Sequence, residues 1–364
     1  MSDVILHYLV KSESADIKAR AESLLLEQAV ELPRTALFDE WVLENILGKI
    51  LAIEEKSPGF FEVIISHPLR TTALDPAQLL NLAFGNSSLQ PDVELTGLKV
   101  PPELAQKFGG PRFGIEKIRE RIGVPHRAIT STALKPMGLS PQKIGELGYT
   151  FSIGGIDIIK DDHGLADHEF CPFEKRVEEA QKGIERAARE GHKTLYVPNL
   201  IGTPETVFRQ LDFAREQGVG GVMVSPLLIG PATLVELAQK AGLPILAHPS
   251  FGGSSRIAPE VLLAGIFKWF GADAIIFPHM GGRFSYSRET CLGIAANSRS
   301  HEHGLKGAFP VPAGGIKTSR VREVLEFYGN DTILLVGGSL LEAGDKLLEK
   351  TREFVQEVHA VSKK

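Results

Sequence analysis

From about residue 128 onward, short apolar runs recur at 128–134, 154–159, 194–198, 220–224, 244–247, 273–277, 308–312 and 332–336. Most are separated by stretches whose apolar residues follow helical spacing, most clearly at 177–188, 203–216 and 318–328. Gly191, Gly218, Gly242, Gly271 and Gly329 each fall just past such a stretch, where a left-handed terminal residue is favoured. Eight strands alternating with helices over about 220 residues predict a (β/α)8 TIM barrel. A doubly wound open sheet is the competing architecture, but no GxGxxG follows the first run, and eight evenly punctuated units exceed what it needs. Residues 340–361 read as one or two closing helices.

The earlier part of the chain has a different rhythm. Residues 4–10 read as a strand, and Ser14 is placed to cap a helix over 15–28 that ends before Pro33. Residues 59–66 and 95–100 read as further strands, and 77–82 as a short helix. This mixture predicts a small α+β domain over residues 1–112, with Gly109-Gly110-Pro111 as a hinge, and a barrel domain over 113–364.

Composition narrows the class. A hydrophobic fraction of 43% and a charged fraction of 23% are ordinary for a globular protein. A net charge of -5 gives no footprint for nucleic acid or an anionic membrane. Cys171 and Cys291 are too few for a disulfide framework and fit a reducing compartment. Neither a signal peptide nor a membrane-length apolar run is visible, so the expectation is a cytoplasmic protein.

The candidate chemistry lies where the apolar runs end. In order, the runs lead into Lys135-Pro136-Met137-Gly138, Lys160-Asp161-Asp162-His163, Asn199, Ser225, His248-Pro249, Pro278-His279, Ala313-Gly314-Gly315 and Gly337-Gly338-Ser339. Barrel enzymes keep their active sites at the carboxyl ends of the strands, so this register points to one shared mouth. Gly314-Gly315 and Gly337-Gly338 leave backbone N–H groups open to a phosphate, although tight turns would use the same residues. Lys160 has two readings. It is an ion-pair partner of Asp161 or Asp162, or, as a carbamate formed with carbon dioxide, an oxygen ligand beside Asp162 for a divalent metal. Those oxygens suit Mg²⁺, whereas a nitrogen from His163 suits Mn²⁺, Fe²⁺ or Zn²⁺ better. Lys135, buried and held neutral, would serve as the general base.

The segment Gly154-Gly155-Ile156-Asp157-Ile158-Ile159-Lys160-Asp161-Asp162 resembles the metal-site strand of RuBisCO large chains, whose lysine is carbamylated. Lys135-Pro136-Met137-Gly138, Leu246-Ala247-His248, Ala313-Gly314-Gly315-Ile316 and Val336-Gly337-Gly338 resemble further segments of that family. The resemblance implies catalytic roles for Lys135, Lys160 and His248, and a divalent metal on Lys160, Asp162 and His163. It also implies substrate contacts from Arg283 and the two glycine pairs, to which strand-end position adds Asn199 and His279. It implies a ferredoxin-like first domain and an antiparallel homodimer in which Glu27 and Asn86 serve the partner's active site.

Departures from the pattern redirect the expected reaction. The family's second lysine near Lys135 is missing, Pro249 stands in place of an arginine, Ala313 of a serine, and His163 of a glutamate. The chain therefore resembles the RuBisCO-like proteins, which enolise without fixing carbon dioxide. The implied activity is that of an isomerase or enolase on a monophosphorylated keto sugar of the 5-methylthioribulose 1-phosphate type, as in methionine salvage. Decarboxylation of 3-oxo-isoapionate 4-phosphate, and a catalytically inactive sugar-phosphate binding scaffold, are the alternatives.

Overall fold

Two sheets carry the fold, and the computed structural model describes them within residues 3–282 and 284–362. The first contains β1 (Asp3–Lys11), β2 (Lys49–Ser57), β3 (Phe60–Pro68) and β4 (Val93–Lys99) in the order β2-β3-β1-β4. β1 runs antiparallel to both of its neighbours, and helices Ile17–Ala29 and Pro76–Phe84 complete the ferredoxin-like α+β pattern. Val4, Leu6, Tyr8 and Val10 alternate into the core along β1, as one-sided burial of a strand requires.

Three local expectations need correction. The first helix begins at Ile17 with Asp16 at its N-cap and no side-chain capping bond, so Ser14 does not cap it. β2 and the short helix Glu40–Asn45 escaped the periodicity. β2 is a mostly exposed edge strand, so its pattern lacks a buried face. The strand of the Lys160 segment starts at Ile158; Gly154 and Gly155 precede it in a turn, with Gly155 at φ 91°.

The second sheet is the barrel: β5 (Ile129–Leu134), β6 (Ile158–Asp161), β7 (Leu195–Val197), β8 (Val222–Val224), β9 (Ile245–Ala247), β10 (Ala274–Pro278), β11 (Phe309–Ala313) and β12 (Ile333–Val336). All pairings are parallel, in the order β7-β6-β5-β12-β11-β10-β9-β8. Backbone bonds from Met223 N to Pro198 O (2.9 Å) and from Leu200 N to Met223 O (2.8 Å) draw β7 and β8 together at the remaining seam. Inward residues including Ile129, Ile158, Met223, Leu246, Ile276 and Leu335 fill the interior, and Ile115, Ile118 and Ile122 of helix Gly114–Ile122 join the same cluster. The eight expected runs all became strands, because residues buried on both faces read as continuous apolar stretches.

Local signals set the intervening helices. Asp75, Ser140 and Thr203 each accept a bond from a backbone N–H three residues on, and each precedes a proline at the first helical turn. Such a cap contributes about 1 kcal/mol. The five glycines read as helix terminators all have positive φ. β4 meets the segment after β9 where Leu95 N donates to Arg256 O at 2.9 Å and Ala258 N donates to Leu95 O at 2.9 Å. Among the described residues no helix is long and apolar enough to cross a membrane.

Candidate active site

The carboxyl ends of the barrel strands surround a cleft of about 810 Å³. Its lining includes Lys135, Lys160, Asp162, His163, His248, His279, Gly314, Gly315, Gly337 and Gly338. Residues as far apart in sequence as Lys135 and Gly338 thus converge on one mouth.

Lys160 is held inside β6, 2% exposed, with its Nζ donating to the Asp161 carbonyl oxygen at 2.9 Å. Among the described residues it pairs with neither neighbouring carboxylate, so the ion-pair reading of Lys160 fails. Burial pushes its pKa down to about 8, against the opposing pull of the Asp162 charge. Asp162 is the counter-charge of the site: Lys135 Nζ lies 3.1 Å and His163 Nδ1 3.6 Å from its Oδ1. Burial acts upward on this carboxyl, but the His163 imidazole and the two lysines outweigh it and hold it well below the usual carboxylate range.

Lys135 departs from expectation. Its side chain is 37% exposed, with Nζ 3.1 Å from Asp162 Oδ1, so it is not buried at the strand end as expected.

His248 stacks on His163 with ring centroids 4.2 Å apart and planes 10° from parallel. Ser250 N donates to His248 Nδ1 at 3.2 Å, which leaves the proton of the neutral ring on Nε2. Burial, then the Lys160 charge, push this imidazole down to about 2, so it stays neutral. His279 is fully buried with Nδ1 3.0 Å from the Tyr328 hydroxyl, and burial pushes it down to about 4.

The glycine pairs keep the wall after β11 and β12 open. A Cβ at Gly314 or Gly338 would meet nothing within 4 Å. Gly315 is at φ 73°, and a Cβ there would lie 3.0 Å from Gly282 Cα. On the loops after β9 and β10 the wall is apolar instead. Pro249, Phe251 and Phe284 line it, and Phe251 and Phe284 are 65% and 70% exposed.

Other expected residues sit elsewhere. Asn199, read as a substrate contact, is 1% exposed and does not line the cleft. Its Nδ2 donates to the carbonyls of His163 (3.1 Å) and Leu165 (3.0 Å). Asn86 Nδ2 donates to Glu27 Oε1 at 2.9 Å on the first domain, and neither residue lines the cleft of its own chain. Arg283 lies outside the described residues.

The apolar spacing of the sequence did not reveal the aromatic wall, nor that Asp161 is fully buried with its carboxylate accepting from Arg176, Tyr196 and the Asn199 backbone. Alternation along β6 was the available signal, since it turns Asp161 away from the side that Lys160 faces.

A divalent metal is the group the resemblance implies, and the donors fit one conditionally. Among the described residues no three His, Cys, Asp or Glu side chains converge as a ready-made metal cage. A carbamate on Lys160 would supply the missing oxygen donor beside Asp162 and His163, and a buried lysine with a lowered pKa is the chemistry that carbamate formation requires.

Residues 114–250 match the family model of the ribulose bisphosphate carboxylase large chain, catalytic domain. The chain is 45% identical to ribulose bisphosphate carboxylase-like protein 1 of Rhodopseudomonas palustris, over 98% of this chain and 97% of that protein. It is 40% identical to a 5-methylthioribulose-1-phosphate isomerase of Rhodospirillum rubrum, over 96% of this chain and 95% of that protein. Among solved structures, a Rubisco-like protein from Rhodopseudomonas palustris superposes with a TM-score of 0.92 at 40% identity, covering 99% of this chain and 98% of that one.

Proposed function

The chain belongs to the RuBisCO large-chain family, as a RuBisCO-like protein, and from that premise we propose that it enolises a monophosphorylated keto sugar without fixing carbon dioxide. The finer reading is isomerisation of a 5-methylthioribulose 1-phosphate-type substrate in methionine salvage. The observation that carries it is the two-sided cleft, with open glycine backbone after β11 and β12 and an apolar wall of Pro249, Phe251 and Phe284 after β9 and β10. One phosphate and one apolar end suit those walls. The 40% identical isomerase supports the same substrate class.

In this reading Gly314, Gly315, Gly337 and Gly338 hold the phosphate through backbone N–H groups. Bound by carbamylated Lys160, Asp162 and His163, a divalent cation such as Mg²⁺ would supply Lewis-acid stabilisation of a developing enolate; the imidazole leaves Mn²⁺, Fe²⁺ or Zn²⁺ as other candidates. As the neutral amine, Lys135 Nζ takes the proton from the hydroxyl-bearing carbon α to the carbonyl and returns it to the former carbonyl carbon, while the hydroxyl proton passes to the former carbonyl oxygen, so the carbonyl moves with every atom kept. His248, neutral with its proton on Nε2, donates to a substrate oxygen and fixes its orientation.

The protein acts as a homodimer in which Glu27 and Asn86 of each protomer complete the partner's cleft. Their mutual hydrogen bond, away from the cleft of their own chain, supports this arrangement. The test is product analysis by NMR after incubation with 5-methylthioribulose 1-phosphate. An isomeric ketose phosphate is expected. Carbon dioxide release from a 3-oxo sugar-acid phosphate, with no turnover of the methylthio substrate, would transfer the assignment to decarboxylation.

A further inference from the structure

The loop between β6 and helix Phe173–Arg189 carries Asp162 and His163, yet it is gripped from behind by residues outside the cleft. Asp161 is fully buried. Its Oδ2 accepts from Arg176 Nε at 3.0 Å and from Asn199 N at 3.1 Å, and its Oδ1 accepts from the Tyr196 hydroxyl at 2.8 Å. Arg176, also fully buried, extends Nη1 to the carbonyls of Ala166 (2.7 Å) and Cys171 (3.1 Å). Asn199 reaches the same loop at the carbonyls of His163 and Leu165, at 3.1 and 3.0 Å. Two donors anchored on one carboxylate therefore hold four carbonyls of a single loop.

We propose that Asp161, Arg176 and Asn199 are positioning residues that preset the backbone of the Asp162–His163 loop for cation binding. This role rests on the reading of Lys160, Asp162 and His163 as the cation site. The physical reason is the cost of ordering: a loop fixed in advance does not have to be immobilised when the ion binds. Asn199 is the most direct handle, because its side chain holds the carbonyl of His163 itself while only its backbone N–H touches Asp161. Truncating it removes the grip on the loop and leaves the Asp161–Arg176 pair in place.

The experiment compares the full-length wild type with Asn199→Ala by amide hydrogen exchange without added metal, and by Mn²⁺ titration followed by electron paramagnetic resonance. Residues 163–171 of the variant are expected to exchange at least about ten-fold faster while the rest of the barrel is unchanged, and the Mn²⁺ dissociation constant is expected to rise by about 10- to 100-fold. A folded variant with wild-type exchange in this loop overturns the proposal, whether or not the protein binds Mn²⁺ or turns over a ketose phosphate. A loosened loop with unchanged Mn²⁺ affinity overturns its link to the cation site. A wild type that takes up no Mn²⁺ under carbon dioxide would remove both the cation reading and the function assigned to the clamp, whereas loss of turnover with intact Mn²⁺ binding would count against the reaction alone. Asn199→Ser, which keeps a donor too short to span both carbonyls, is the second variant if the alanine chain does not fold.

Discussion

Asp161 and Asp162 are adjacent in sequence and belong to two different environments. Asp161 faces the helices, sealed from solvent, its carboxylate occupied by a guanidinium, a phenol hydroxyl and a backbone N–H. Asp162 faces the cleft with a side chain 21% exposed and two basic neighbours, Lys135 and His163, that are themselves partly open to solvent. On one side of the strand end every donor is committed to the fold, and on the other the charges are free to be redistributed around a ligand. The same acid side chain is structural or reactive according to whether its partners can leave.

That contrast can be broken most sharply on the cleft side. Lys160→Ala or Asp162→Ala should lower turnover by about 10³-fold, since the several kcal/mol of enolate stabilisation assigned to the cation would go with the ligand. Unfolding in urea should change by less than about 1 kcal/mol for Asp162→Ala, because a partly exposed ion pair contributes little to stability. Activity at the wild-type level in either variant would remove the cation site from the account.

The helix side should respond in the opposite way. Asp161→Ala leaves the Arg176 guanidinium buried without its counter-charge, a loss of about 3–5 kcal/mol measurable by urea denaturation. A loss below about 1 kcal/mol would mean that the two sides do not differ as described.

A smaller effect sharpens the comparison through pH. The lowered pKa of Lys160, about 8, makes the neutral amine scarce at pH 7 and dominant at pH 9. Carbamate formation requires that amine, so the initial rate of activation at fixed dissolved carbon dioxide should rise about ten-fold across this interval and flatten above it. An unperturbed lysine would keep rising beyond pH 10, and that profile would contradict the burial argument. The smallest expected change belongs to the apolar wall, where Phe251→Ala should raise KM for a methylthio substrate by about five- to ten-fold and leave kcat nearly unchanged.

The barrel was legible in the sequence because its strands are buried on both faces and punctuated by glycines that have to be left-handed. β2 was not, since an exposed edge strand with the sequence Lys-Ile-Leu-Ala-Ile-Glu-Glu-Lys-Ser has no consistent apolar face. Lys135, Lys160, Asp162, His163 and His248 could be gathered from their places at strand ends, and the structure brings them to one cleft. Their environments could not be read in the same way. The exposure of Lys135 and the stacking of His163 on His248 depend on contacts between separate loops. Asn199 follows the third strand as a ligand would, and only its two bonds to the Asp162 loop reveal that it faces the scaffold. Strand-end position locates the mouth of a barrel; side-chain direction and committed hydrogen bonds decide which residues enter it.

Enolisation is expected at a cation site completed by a carbamate on Lys160. Its most direct measurement is the rate of deuterium incorporation α to the carbonyl of 5-methylthioribulose 1-phosphate in heavy water, followed by proton NMR, with carbon dioxide and Mg²⁺ supplied or withheld independently. Rapid incorporation is expected only when both are present. Equal incorporation in carbon dioxide-free, chelator-treated buffer, or none under any of these conditions, would contradict it.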